Sequence, residues 1–219
     1  EDARAYYLRG LLNMDLGKTQ EAVLDFEKVT SIKKEDYEMY LGIYDSLMNH
    51  GKPKDAATYL QKAKKIKGDS AKDYLYQGRI AYLEKDYNLA IEKLLKAKEK
   101  ELPIASYYLG LAYNATGNKE LAESFIKQYL DSGIATSYDL YQLGSNESMS
   151  GNYVQAAVYF EAGLKMENVP NKQNLMKGAI SAYEYSGDFA AAKKMMDEYL
   201  KLYPSDEDAA KEAVFLGTR

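Results

Sequence analysis

The chain has 219 residues, 46% of them hydrophobic, and 33 acidic against 29 basic side chains for a formal charge of −4; that balance excludes both a polyanion and a protein held to nucleic acid by bulk charge. It contains no cysteine, which excludes disulfides, zinc-thiolate sites and thiol catalysis, and no apolar run approaching the roughly 20 residues that span a bilayer. Tyrosine is the outlier, with 22 copies beside no tryptophan, and its apolar ring with a polar tip suits half-exposed grooves.

In chain order the first predicted element is a helix over 3–16, with Leu8, Leu11, Leu12 and Met14 at helical spacing around Gly10. Gly17 breaks it. A second helix over 19–32 carries Ala22, Val23, Phe26, Val29 and Ile32 as an amphipathic stripe. The same helix, short turn and helix then return. First (A) helices are predicted near 37–49, 72–84, 104–116, 138–150 and 173–186. Second (B) helices are predicted near 53–67, 87–100, 119–131, 153–166 and 189–202. Between them lie Gly51-Lys52, Lys85-Asp86, Gly117-Asn118, Gly151-Asn152 and Gly187-Asp188. Asp86, Asn118, Asn152 and Asp188 are placed to cap the B helices. Pro53 suits a first helical position, and Ser70 with Asp73 reads as a capping pair. After Pro204, Ser205 reads as the cap of a last helix through Leu216, with acidic residues in its first turn.

Two small residues keep the beat. Ala22, Ala56, Ala90, Ala122, Ala156 and Ala192 mark the B helices, and Gly10, Gly42, Gly78, Gly110 and Gly144 mark the A helices. A mid-helix glycine costs about 1 kcal/mol relative to alanine, so its return implies close approach of the paired helices. The sixth unit departs, with Ile180 in the glycine's place and Gly178 two residues earlier; that pair is expected to be spread or shifted. Self-similarity at this period means one unit copied and stacked. The fold class expected is all-α, a right-handed solenoid of six helix-turn-helix repeats over 3–34, 35–70, 71–102, 103–136, 137–172 and 173–204. A capping helix over 205–217 completes one domain spanning 1–219.

No constellation for catalysis, metal or cofactor binding emerges. His50 is the single histidine, and a cation at a helix C-terminus has a dipole role. Glu35-Asp36 and Glu207-Asp208 stand at helix starts, as capping and dipole partners. The glycines never cluster as a phosphate-cradling loop. Asn114-Ala115-Thr116 and Asn146-Glu147-Ser148 match the glycosylation tripeptide, but both fall near helix ends and read as chance. Residues 52–100 hold 13 Lys and Arg against 7 Asp and Glu, a solvated basic surface or a steering patch for an acidic partner. Nucleic acid is not expected as a partner, with four arginines in the chain. Cysteine avoidance and a first residue Glu1 lean towards an exported or surface-anchored bacterial protein, a lipoprotein among them, over a cytoplasmic one.

The run Tyr6, Gly10, Gly17, Ala22, Phe26, the run Gly144, Gly151, Ala156, Phe160, Pro170 and the run Tyr183, Gly187, Phe189, Ala192, Pro204 resemble the tetratricopeptide repeat. That resemblance extends from about Ala3 to Pro204. It implies a non-catalytic scaffold whose A helices line a concave surface. Matched unit by unit, the surface would hold Tyr7, Leu11 and Met14, then Met39 and Ile43, then Leu75, Arg79 and Tyr82. Tyr107, Leu111 and Asn114 follow, then Tyr138, Tyr141 and Ser145, with Lys177 and Tyr185 last. Such a wall of Tyr, Leu and Met suits an extended or helical peptide. The cation-rich clamp by which one subclass of the family holds acidic C-terminal peptides is largely missing, since only Lys72 and Arg79 supply charge in the third unit. The expected partner is a protein or peptide, with no cofactor. Self-association through an uncapped N-terminal unit, or a module for glycans or another small ligand, remain as alternatives.

Overall fold

The computed structural model describes residues 2–219. Among them are thirteen α-helices and no strand. The chain divides into two compact units, Glu1–Ser132 and Gly133–Arg219.

The first unit holds four helix hairpins: α1 (Ala3–Asp15) with α2 (Thr19–Ile32), α3 (Tyr37–Asn49) with α4 (Pro53–Lys64), α5 (Ala71–Leu83) with α6 (Tyr87–Glu99), and α7 (Ile104–Ala115) with α8 (Lys119–Asp131). The second holds α9 (Ser137–Met149) with α10 (Tyr153–Leu164), α11 (Lys172–Ser186) with α12 (Phe189–Leu202), and the closing helix α13 (Glu207–Leu216). Each unit is thus a run of stacked hairpins, the all-α repeat architecture that the spacing predicts.

One turn closes all six hairpins. A single residue takes the left-handed conformation, Gly17, Gly51, Gly117, Gly151 and Gly187 in five hairpins and Lys85 in the sixth, at φ 63°. The next backbone N–H then reaches five residues back to a carbonyl that the helix end leaves open, as from Lys18 to Asn13 (2.8 Å) and from Asp86 to Ala81 (2.9 Å). Three of the expected caps form: the side chains of Asp86, Asn118 and Asp188 accept from Leu89, Leu121 and Ala191. Asn152 does not cap α10, because its amide donates instead to Glu147 (2.8 Å). The last helix is capped by Asp206, not Ser205, through the Ala209 N–H. Ser70 and Asp73 make the full capping box, and Thr136 with Asp139 makes a second.

All six marker alanines are buried. The glycines divide into two sets. A Cβ on Gly10, Gly78, Gly110 or Gly144 would run into Phe26, Leu94, Ile126 or Phe160, each sixteen residues on in the partner B helix. These glycines make room for a large side chain within their own hairpin. Gly42 is different: its Cβ would fall on the Tyr7 hydroxyl of α1. The residue of α3 in the register of the other glycines is Tyr44, which packs in one cluster with Leu60, again sixteen residues on. The second hairpin therefore departs from the glycine beat just as the sixth does, where Ile180 packs in one cluster with Met196.

The cores follow the stacking. Met14, Phe26 and Val29 meet Ile43, Leu47 and Tyr59. Tyr37, Tyr40 and Leu60 meet Tyr76 and Ile80, and Leu75 and Leu94 meet Leu109 and Ala112. In the second unit Ala156 and Phe160 meet Leu175 and Ala179, and α13 lays Ala209 and Leu216 on Met196 and Tyr199.

Candidate functional site

In the first unit the A helices α1, α3, α5 and α7 form one face, tied together by side chains that cross between them. Tyr7 of α1 lies against α3 at Gly42. The Tyr76 hydroxyl of α5 donates to Glu38 of α3 (2.9 Å), and Lys72 pairs with the same carboxylate oxygen (2.9 Å). The Tyr37 and Tyr76 rings stack at 4.9 Å. The Arg79 guanidinium of α5 lies 5.5 Å from the Tyr76 ring centroid and 4.9 Å from that of Tyr108 on α7. Two rings thus hold one planar cation, an attraction that strengthens as water is excluded.

With Tyr44 in the glycine register, the residue just after that register is Leu11 in α1, Asp45 in α3, Arg79 in α5 and Leu111 in α7. Seven residues earlier stand Arg4, Glu38, Lys72 and Ile104. Opposite charges therefore face each other twice across α3 and α5, with Leu11 and Leu111 at either side. The Glu38 carboxyl is held below its ordinary value, first by the Lys72 hydrogen bond and then by Tyr76. Asp45 behaves otherwise. It is open to solvent, yet desolvation pushes its carboxyl up while the charge of Arg79 draws it down. Tyr7 is raised by burial and then by Asp45, and Tyr82 by burial and then by Tyr87.

The residues matched through the repeat resemblance fall in several environments. Tyr7, Leu11, Arg79, Tyr82, Leu111 and Asn114 are half-buried on α1, α5 and α7 of the first unit. Met39 is half-buried against the first core cluster. Ile43 has no exposed surface, and Leu75 and Tyr107 are also core residues, at 7% and 5% exposure. Tyr107 tilts against Tyr129 at 5.2 Å. In the second unit Tyr138 is 55% exposed, Tyr141 packs on Phe160 at 5.8 Å, and the exposed Tyr185 stacks on Tyr153 at 4.9 Å. Glu38, Asp45, Tyr76 and Tyr108 were not anticipated from the sequence. The signal that finds Asp45 is the alanine beat: Gly10, Gly78, Gly110 and Gly144 each stand twelve residues before their alanine, whereas Gly42 stands fourteen before Ala56. Counting back from Ala56 moves the inner positions of α3 from Met39 and Ile43 to Leu41 and Asp45.

His50 closes α3, its Nδ1 2.8 Å from the Ser46 carbonyl oxygen and its Nε2 3.4 Å from Asp15. Among the described residues no group of three or more His, Cys, Asp and Glu side chains is placed to hold a metal, and no helix is long and apolar enough to cross a membrane.

Two family models described as tetratricopeptide repeat match residues 3–36 and 173–206. No curated protein matches the chain in sequence. Solved structures similar to it include PilW, a widely conserved type IV pilus biogenesis factor, at TM-score 0.57 and 16% identity, over 95% of this chain and 97% of that one. Yeast Tom70 is similar at TM-score 0.68 and 14% identity, over 98% of this chain and 46% of that one. The Cut9-Hcn1 hetero-tetramer of the APC/C is similar at TM-score 0.57 and 17% identity, over 98% and 43%. At these identities the likeness is one of fold. The first hairpin and the sixth match the tetratricopeptide repeat in sequence, and the hairpins between them repeat the same turn and the same buried alanine.

Proposed function

We propose that the chain is a non-catalytic scaffold that binds a protein or peptide on the A-helix face of its first unit. One observation carries the reading: Arg79, held between Tyr76 and Tyr108, lies in a row with Asp45 and is flanked by the half-buried Leu11 and Leu111. The arrangement offers a fixed cation, an exposed carboxylate and apolar surface within one row. A peptide with both charged and apolar side chains meets all three, on a surface already ordered before it arrives. Peptides selected from a displayed random library, and measured by isothermal titration, test this. Arg79→Ala and Leu111→Ala are each expected to weaken binding at least tenfold, about 1.4 kcal/mol. Leu121→Ala on α8 leaves it unchanged, and circular dichroism confirms that each variant is folded. Failure to select any peptide, or equal affinity for all four proteins, refutes the reading.

A second reading, self-association, is favoured by a different surface. Leu8 and Leu12 of α1 and Leu16, which caps its C-terminus, form a stripe, each more than half exposed, and Leu24 of α2 is 62% exposed. Apolar area of this kind is a candidate for burial between copies. Light scattering over a concentration series tests it, and a monomer at the highest concentration removes it.

A further inference from the structure

Within each unit the A helices meet the preceding hairpin through one recurring position, two residues before the glycine register. In α3 it is Gly42, against which Tyr7 lies, and in α11 it is Gly178, against which Phe160 lies. In α5 it is Tyr76, stacked on Tyr37 and bonded to Glu38. In α7 it is Tyr108, whose ring receives Arg79 of α5. The same position in α1 is Leu8, which is more than half exposed, as are Leu12 one turn on and Leu16 at the C-cap. The side by which those four helices stack is therefore open to water on α1, and it is apolar.

Charge decides what this stripe can accept. At about 100° per residue, Arg4 and Asp15 fall together on one edge of it, within about 40° of Leu8. Arg4 stands near the start of α1 and Asp15 at its end, and both are exposed. Asp15 has the His50 Nε2 at 3.4 Å and keeps a side chain 72% exposed. Arg9 turns to the opposite edge, where Asp25 takes it. A copy of α1 laid antiparallel, centred level with Gly10, puts Leu8 opposite the other chain's Leu12 twice over. The same placement brings Arg4 within one residue of the level of Asp15, about 1.5 Å along the axis. A two-fold axis keeps like edges together, so the charged edges meet. A parallel copy would set Arg4 on Arg4 and Asp15 on Asp15.

We propose that two copies of the chain pair through α1, antiparallel about a two-fold axis, with Leu8 against Leu12 and Arg4 against Asp15 across the interface. The arrangement rests on the self-association reading above and names its geometry. An isologous contact needs a patch complementary to itself, and in the antiparallel setting the leucines and the charges match at once.

Sedimentation equilibrium and cross-linking of the full chain test the arrangement. Arg4→Glu alone and Asp15→Lys alone put like charges together at both equivalent contacts, and each should weaken the dimer about fivefold. The double variant restores opposite charges and should return to within about twofold of the unmodified chain. The chain has no cysteine of its own, so an introduced thiol reports a single position. Under oxidation, Leu8→Cys mixed with Leu12→Cys should give a linked pair. Leu16→Cys alone should give none, because the antiparallel setting holds the two copies of that position about 18 Å apart along the axis. Circular dichroism checks that each variant is folded. A monomer at the highest concentration overturns both the arrangement and the self-association reading. A dimer in which the double charge variant stays as weak as the single ones, or in which Leu16→Cys links to itself, overturns the arrangement and leaves self-association standing.

Discussion

Phe160 offers the sharpest test of why the hairpins need glycine. The ring is 2% exposed and lies between two helices that both lack a side chain where it sits. A Cβ on Gly144 of α9 would come within 2.6 Å of Phe160 Cε1, and one on Gly178 of α11 within 2.7 Å of Cζ. Helix propensity alone makes Gly144→Ala stabilising by about 1 kcal/mol. Overpacking a filled core costs about 1–3 kcal/mol, and this ring cannot retreat because Gly178 blocks the other side. The upper half of that range applies, so Gly144→Ala should lose about 1–2 kcal/mol net. Phe160→Leu removes the obstructing edge at the expense of buried area, and alone should lose about 1–2 kcal/mol. Combined, the two changes should cost less than their sum by about 1–2 kcal/mol, since the shorter side chain tolerates the methyl. Urea unfolding followed by circular dichroism on all four proteins completes the cycle. A more stable Gly144→Ala variant, or strict additivity with Phe160→Leu, would refute the claim that the glycine exists to admit the ring.

Two further outcomes follow from local geometry. Lys85 occupies the left-handed position that glycine holds in the other five hairpins, so Lys85→Gly should raise stability by about 0.5–1 kcal/mol and Gly117→Ala should lower it by about 1 kcal/mol, both read from urea midpoints. Asp25 is a buried carboxylate that accepts two bonds from Arg9 (2.8 and 2.5 Å) and one from Asn13; Arg9 holds its carboxyl low, a stabilisation present above 3.8 and lost as pH falls. Arg9→Met should therefore lower the melting temperature at pH 7 and change it far less at pH 3, and equal shifts at both pH values would count against the pair.

Much of the fold was legible because it rests on local signals repeated at fixed spacing. The left-handed glycines, the capping acids and the buried alanines are each decided by a few neighbouring residues. Asn152 escaped that logic because Glu147, five residues back, competes for its amide. The end of α4 escaped it too: the predicted helix ran to Lys67, whereas Lys64 is the last helical residue, and Ile66 turns back into the second core cluster. The candidate site was less legible, for a reason of register. Met39 and Ile43 were placed by trusting Gly42 as the marker of α3, and a two-residue error on a helix turns a side chain through about 200°. That is enough to exchange Ile43, wholly buried, for Asp45, open to water. The ring pair around Arg79 carries no sequence signal, because Tyr76 and Tyr108 stand on different helices and 32 residues apart.

The two hairpins that break the glycine register share a further property. Gly42 and Gly178 each stand fourteen residues before their alanine, and each makes room for an aromatic side chain from the preceding hairpin: Tyr7 in one case, Phe160 in the other. In register, the gap admits a B-helix side chain and tightens the hairpin itself. Displaced by two residues, it turns away from the B helix and tightens the contact between hairpins instead. The vacated position can then take a larger residue, Tyr44 or Ile180, opposite Leu60 or Met196. In the first unit this exchange has a consequence for the proposed binding face. It lets Tyr7 lie against the α3 backbone at Gly42, one helical turn from Asp45, whose charge contributes to holding the Tyr7 hydroxyl above its ordinary value. The departure from regularity that hides Asp45 from the glycine beat is thus the same packing choice that draws α1 onto α3 beside it.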